Sequence, residues 1–251
     1  MNTLALQLYT VRDETARDFA GTLRRVAAQG YTAVEFAGYG DLSSQQMQEL
    51  LAETGLQALS AHVALTRLEQ NLAQEIEYAQ AIGCSYIVMP WLAPEQRTGA
   101  HLPALAEILN TMGSVAKASG LTLGYHNHDF EFAPVSATDP SFMLDYLLEN
   151  TDPANLVLEL DTYWAAYAGV DPVAYLQRWQ SRVPLVHLKD MTPERTFTEV
   201  GAGTLPIAAI VAAAQAAGTQ GYIVENDQPR IPSLESARQS LQFLQTLPAL
   251  S

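Results

Sequence analysis

The chain has 251 residues, with 13 Lys+Arg against 27 Asp+Glu and a formal net charge of −14 at pH 7. This acidity argues against a nucleic-acid binder, because gripping a polyanion takes a basic surface that displaces its counterions. An apolar fraction of 48% with 16% charged residues rules out disorder as the main state, and a lone cysteine, Cys84, rules out a disulfide framework or cysteine metal cluster.

Taken in chain order, short apolar runs of β-forming residues alternate with longer segments of helical period. The run Leu4–Tyr9 precedes a helical segment at Asp18–Ala28, Ala33–Phe36 precedes Ser43–Thr54, Gln57–His62 precedes Leu68–Ile82, and Tyr86–Met89 precedes Leu102–Ser119. The second half continues with Leu121–His126 and Ser141–Glu149, Leu156–Asp161 and Pro172–Arg182, Leu185–Lys189 and Pro206–Ala217, then Tyr222–Glu225 and Ser233–Leu244. Ser43 with Gln46 is a capping-box pattern, and Asp171 before Pro172 is an N-cap before a first-turn proline. Gly30, Gly55, Gly83, Gly120 and Gly218 stand where helical runs end.

Eight strands and eight crossover helices predict a single (β/α)₈ barrel over residues 1–251. A doubly wound sheet would carry a glycine-rich phosphate loop after its first strand, but Tyr9–Asp13 follows instead. Gly201 and Gly203 form a Gly-x-Gly that lacks the third glycine. The N-terminal Met1–Tyr9 has no basic region followed by a long apolar stretch, so the expectation is a cytoplasmic protein without a membrane anchor.

Chemistry in such a barrel gathers at the C-terminal ends of the strands. Those ends carry Glu35, His62, His126-Asn127-His128, Glu159 and Asp161, His187 and Lys189, and Glu225-Asn226-Asp227. Period-two alternation puts His126 with His128, Glu159 with Asp161, and His187 with Lys189 on common faces. If Asp161, His187 and Glu225 face the axis, three ligands from successive strands converge with open positions for substrate oxygens. Mixed carboxylate and imidazole ligation suits Mn²⁺, Mg²⁺, Co²⁺, Fe²⁺ or Zn²⁺. Each residue also has a structural reading: Asp161 as a turn cap, His187 as a core histidine, Glu225 as a salt-bridge partner, Glu35 as a partner for a rim arginine. Lys189 in the inward register would aim its ammonium at a substrate oxygen, and His62 is a candidate for acid–base work. Tyr163, Trp164, Trp91 and Tyr9 are candidates to wall a pocket.

Four stretches carry a resemblance: Tyr-His-Asn-His-Asp-Phe-Glu-Phe at 125–132, Leu-Glu-Leu-Asp-Thr-Tyr-Trp at 158–164, Val-His-Leu-Lys-Asp at 186–190 and Val-Glu-Asn-Asp at 224–227. In this order they resemble the xylose-isomerase-like barrel superfamily of sugar phosphate isomerases and epimerases, which includes inosose dehydratase, sugar 3-epimerases and dehydroshikimate dehydratase. The resemblance spans essentially the whole chain. It implies a divalent metal held by a carboxylate from strand five and by Asp161, His187 and Glu225. At the strand-five position this chain departs, reading His126 with Glu131 five residues later, and either could supply the fourth ligand. It further implies proton removal next to the carbonyl of a keto sugar through an enediolate, with Glu225 or a strand-five imidazole as base, and Lys189 or His62 donating to the oxygens. Glu35, His128, Trp164 and Glu159 are then expected at the substrate.

Isomerase or epimerase chemistry is the expected outcome, and loss of a β-hydroxyl from the same intermediate would make the protein a dehydratase on an inosose or 3-keto sugar. Two readings from other classes are a metal-dependent hydrolase similar to endonuclease IV, which needs further ligands and a DNA-binding surface, and a noncatalytic sugar-binding barrel. The expected partner is a small sugar. The number of subunits stays open, a homo-oligomer included.

Overall fold

A computed structural model describes residues 3–250 and closes eight parallel strands into a barrel. The strands are β1 (Thr3–Gln7), β2 (Ala33–Phe36), β3 (Gln57–His62), β4 (Tyr86–Met89), β5 (Thr122–His126), β6 (Leu156–Asp161), β7 (Leu185–Leu188) and β8 (Gly221–Val224). They neighbour one another in chain order, and β8 closes onto β1 from Thr3↔Gly221 to Leu6↔Val224.

Eight principal helices follow the strands: α1 (Phe19–Gln29), α2 (Ser44–Thr54), α3 (Leu65–Ala81), α4 (Leu102–Ala118), α5 (Met143–Glu149), α6 (Pro172–Arg178), α7 (Ile207–Ala217) and α8 (Ser233–Gln245). Local chemistry sets their ends. Asp18 accepts from Gly21 N to open α1, the Ser43–Gln46 capping box opens α2, and Asp171 accepts from Val173 N ahead of Pro172. Gly30 closes α1 in the left-handed region at φ 104°, which a side chain would resist.

The strands alternate between two cores. Outward side chains such as Leu4, Leu6, Val34, Phe36, Leu158 and Leu160 pack against the helices, each buried large side chain contributing roughly 1.5–3 kcal/mol. Inward, the N-terminal half of the barrel is plugged by Ala5, Ala33, Val88, Leu185 and Ile223, with Leu59 and Tyr86 against them. There is no spare room in this plug: a Cβ on Gly221 would stand 2.6 Å from Leu185 Cδ2.

One irregularity decides where the site lies. Val34 pairs with Ala58, but the next residue, Glu35, pairs with Ser60, so Leu59 is skipped in a bulge. Ala58 belongs to the outer core and Leu59 to the inner plug. The extra residue therefore turns Ser60 and His62 inward as well, where strict alternation from Leu59 would have faced them out.

Several boundaries differ from the sequence expectation. β1 ends at Gln7, because Leu8–Val11 turns as a 3₁₀ helix capped by the Gln7 side chain. α6 stops at Arg178, and Arg182 instead directs its guanidinium inward to the carbonyls of Leu148 (2.6 Å) and Leu156 (2.9 Å). Ser141 is not helical; Asp139–Phe142 pairs antiparallel with Pro134–Ser136. A second hairpin, Asp190–Met191 with Phe197–Thr198, follows β7. The amides of Gly201 and Gly203 donate to Asp190 Oδ2 at 2.9 and 3.0 Å, which occupies the Gly-x-Gly amides with an internal carboxylate. Among the described residues no helix is long and apolar enough to cross a membrane.

Candidate metal centre at the strand ends

Above the apolar plug the barrel axis is filled by ionisable groups in two layers. The inner layer is Glu35, Glu159 and His62; the outer is Asp161, Glu225, Lys189 and Asp227. Residues two apart on one strand face the same way but lie roughly 7 Å apart along it, about 5 Å in depth once the tilt of barrel strands is counted, which is why Glu159 lies inner and Asp161 outer.

His126 and His187 stand between the layers and show one ring nitrogen to each. His187 Nε2 is 2.7 Å from Glu35 Oε1 and 3.0 Å from Glu159 Oε2, while its Nδ1 is 2.7 Å from Glu225 Oε2. His126 Nδ1 is 3.1 Å from Glu159 Oε2, and its Nε2 lies 3.6 Å from Asp161 Oδ2. Glu35 is itself held from below, accepting from Gln7 Nε2 and Ser60 Oγ at 2.7 Å each. His62 Nε2 is 2.7 Å from Glu159 Oε2, and its ring stacks at 6° on that of His187.

In the outer layer the Lys189 ammonium is 2.9 Å from Asp161 Oδ2, 2.8 Å from Glu225 Oε2 and 2.9 Å from Asp227 Oδ1. Asp161 divides its carboxylate. Oδ1 accepts from Trp164 N and caps the short helix Thr162–Tyr167, whereas Oδ2 receives no directed hydrogen bond despite the nearby ammonium. The capping reading of this residue thus holds for Oδ1 and leaves Oδ2 unengaged by it.

Burial and charge set the protonation pattern. Burial opposes charge on His187 and His62, but Glu159 and Glu35 outweigh it and hold His187 well above the usual imidazole range and His62 up to about 10. His126 is driven well below that range by burial and by the neighbouring rings of His187 and His62, so it keeps a lone pair. Burial and Lys189 push His128 down to about 3. Burial would raise Glu225, but Lys189 and His187 hold it well below the ordinary carboxylate value. Asp161 is raised by burial against the pull of Lys189.

Two groups of side chains bring ligand atoms within 4.8 Å of one another: His62, His126, Glu159 and His187, and His126, Asp161, His187 and Glu225. The second fits a divalent cation. It offers two carboxylates and two imidazoles, Asp161 Oδ2 is without a directed donor, and buried carboxylates outnumber the buried ammonium beside them. Glu131 is outside both groups: Oε1 accepts from the Tyr125 hydroxyl and Oε2 from His128 N.

A cavity of about 620 Å³ opens over the outer layer, with His62, His126, His128, Trp164, Lys189 and Glu225 in its wall. Tyr9 and Trp91 also line it, but Tyr163 does not; it is buried against Phe197, its hydroxyl donating to Arg195 O. Glu35 and Glu159, expected at the substrate, are fully buried beneath the floor and reach imidazoles instead. Phe197, Asp227 and Arg12 line the cavity as well. Asp227 could have been singled out by its period-two spacing from Glu225; Phe197 sits on a hairpin with no sequence signal.

The xylose isomerase-like TIM barrel family matches the chain over residues 23–247. An inosose dehydratase from Geobacillus kaustophilus is 28% identical over 192 residues, covering 67% of this chain and 61% of that protein, so the match spans less than two thirds of the relative's length. A sugar phosphate isomerase/epimerase from Parabacteroides distasonis superposes with a TM-score of 0.87 at 25% identity over 100% of both chains. The IOLI protein, crystallised with a zinc atom, has a TM-score of 0.73 at 16% identity, covers 100% of this chain and 98% of its own, and shows likeness of fold alone.

Proposed function

This chain belongs to the xylose isomerase-like TIM barrel family, and on that premise we propose that it is a divalent-metal-dependent sugar isomerase or epimerase acting on a keto sugar or related polyol. The supporting observation is the division of His126 and His187 between two carboxylate layers. A ligating imidazole needs its second nitrogen held by an acceptor, which sets the tautomer and orients the ring. Glu159 and Glu35 do this from below, so that His126 Nε2, and His187 Nδ1 once its proton is displaced, would hold the ion with Asp161 Oδ2 and Glu225. The ion is one of Mn, Mg, Co, Fe or Zn.

When bound, the cation supplies a Lewis acid for the substrate carbonyl and its neighbouring hydroxyl. The side chains do the rest. Glu225, held ionised, takes the proton next to the carbonyl, and an enediolate of the substrate results. Lys189 and His62, both held protonated, donate to the substrate oxygens as negative charge develops. Trp164 and His128 wall the cavity and exclude water. Returning the proton to another face or carbon completes epimerisation or isomerisation.

A dehydratase is the second reading. Its support is the pair of protonated groups, Lys189 and His62, that line the same cavity as Glu225 and can protonate a departing β-hydroxyl, together with the inosose dehydratase relative.

Asp161→Ala and Glu225→Gln test the proposal. Each variant should keep the wild-type circular dichroism spectrum, lose metal by elemental analysis, and lose turnover on a panel of keto sugars and inososes. Activity retained by both would reject the site.

A further inference from the structure

We infer that the mouth of the cavity is a binding site for a second sugar ring, so that the preferred ligand is a keto sugar in glycosidic linkage rather than a free monosaccharide. This deepens the proposed function and rests on it for the identity of the reacting ring.

Size is the first observation. A cavity of about 620 Å³ belongs to the class that buries ligands of roughly 20–30 non-hydrogen atoms, whereas a hexose has roughly 12. The reacting groups His126, Lys189 and Glu225 lie at the floor, so a single ring seated on them leaves the upper part of the cavity unfilled.

The second observation is what lines that upper part. Tyr9 after β1 and Trp91 after β4 are 44% and 46% exposed, and among the described residues the only other large apolar side chain so exposed is Val115. Exposed aromatic rings lose little by moving, yet both are pinned. The Arg12 guanidinium lies 4.1 Å from the Tyr9 ring centroid while donating to Tyr9 O and Asp227 O at 2.8 Å each. The Arg97 guanidinium lies 4.7 Å from the Trp91 centroid and 3.9 Å from that of Phe130, and its Nε donates to Leu92 O at 2.8 Å. Cation–π contact and these hydrogen bonds fix the rings before a ligand arrives, which lowers the entropy lost on binding.

Fixed aromatic faces at the lip of a cavity that carries ionisable groups on an otherwise largely apolar lining match the C–H face of a pyranose, with Gln228 and Asp227 beside them for hydroxyl groups. A phosphate is the competing occupant for a mouth that contains arginine. The geometry favours the neutral ring, because both guanidiniums lie over aromatic faces and donate to backbone carbonyls, and Asp227 adds negative charge at the same rim.

Equilibrium binding to chelator-treated protein tests this without any turnover, using cellobiose, maltose and trehalose as two-ring probes beside glucose and glucose 6-phosphate. At least one disaccharide should bind ten-fold or more tightly than glucose by calorimetry, and Trp91→Ala and Tyr9→Ala should each shrink that ratio below about three-fold. Disaccharides that bind no more tightly than glucose, glucose 6-phosphate as the tightest ligand, or a ratio unchanged in both variants would each overturn the inference. Because no proton transfer enters the measurement, failure of the metal-assisted mechanism leaves this ratio intact, and loss of the ratio leaves the mechanism standing.

Discussion

Replacing Lys189 by Met removes a buried ammonium that touches three carboxylates, those of Asp161, Glu225 and Asp227. Breaking one side of a buried ion pair costs about 3–5 kcal/mol, since the partner keeps its desolvation penalty. With three partners left, the loss for Lys189→Met in metal-free protein should reach the upper end, about 5 kcal/mol near neutral pH. At roughly 2–4 °C per kcal/mol for a chain of this length, Tm falls by about 10–20 °C. The sign with pH follows from linkage. Without the ammonium the carboxylates have folded pKa values raised above their unfolded ones, so the folded variant binds more protons. Its deficit is then full at neutral pH and shrinks as pH falls toward about 4. A divalent ion should add about 2.7 kcal/mol to each protein at a hundred-fold excess over that protein's own Kd. Urea unfolding of wild type and variant at pH 5 and 7.5, with EDTA and with Mn²⁺, measures all three quantities. A deficit below about 1 kcal/mol at pH 7.5, or one independent of pH, would refute the ion-pair assignment.

Glu131 is pushed up to about 7 by burial, against its bonds from Tyr125 and His128 N. A raised carboxylate pKa stabilises the fold at low pH, and that stability is lost as pH climbs from about 4.5 to 7. Glu131→Gln should therefore gain about 1–3 kcal/mol relative to wild type between pH 4.5 and 8 in denaturant titrations, and a flat difference would contradict the assignment. Gly203→Ala places a Cβ 2.2 Å from Asp190 Oδ1 and 2.5 Å from Met191 O. It should lose about 1–3 kcal/mol in thermal unfolding, and wild-type stability would show that the Asp190 loop yields freely.

The strands were legible because most of the β-forming runs carry an ionisable residue at or next to their end, as in Leu-Glu-Leu-Asp at 158–161 and Val-His-Leu-Lys at 186–189. The helix ends were legible for a similarly local reason, the Ser43 and Asp171 caps being contacts within one turn. Which partners each carboxylate meets was not legible. Glu159 and Asp161 share a face, yet the tilt and stagger of neighbouring strands put one under the imidazoles and the other beside Lys189. Nor was the orientation of His62, which depends on the bulge at Leu59, a property of pairing between β2 and β3 that no run of residues displays. The hairpins at Pro134–Phe142 and Asp190–Thr198 are short and polar, too brief for a period-two pattern, and Phe197 was lost with the second. Glu131 looked available as a ligand; the Tyr125 hydroxyl, turned outward by the pleat, and the His128 amide together account for its occupation.

Solvent deuterium exchange into keto sugars and inososes, read by mass spectrometry on metal-loaded and chelator-stripped protein, tests the central claim most directly. Metal-assisted removal of the proton next to the carbonyl predicts deuterium uptake at that carbon with loaded wild type, and none after chelation or in Glu225→Gln. Uptake that survives both treatments, or its absence from every ketone with the metal-loaded enzyme, would contradict it.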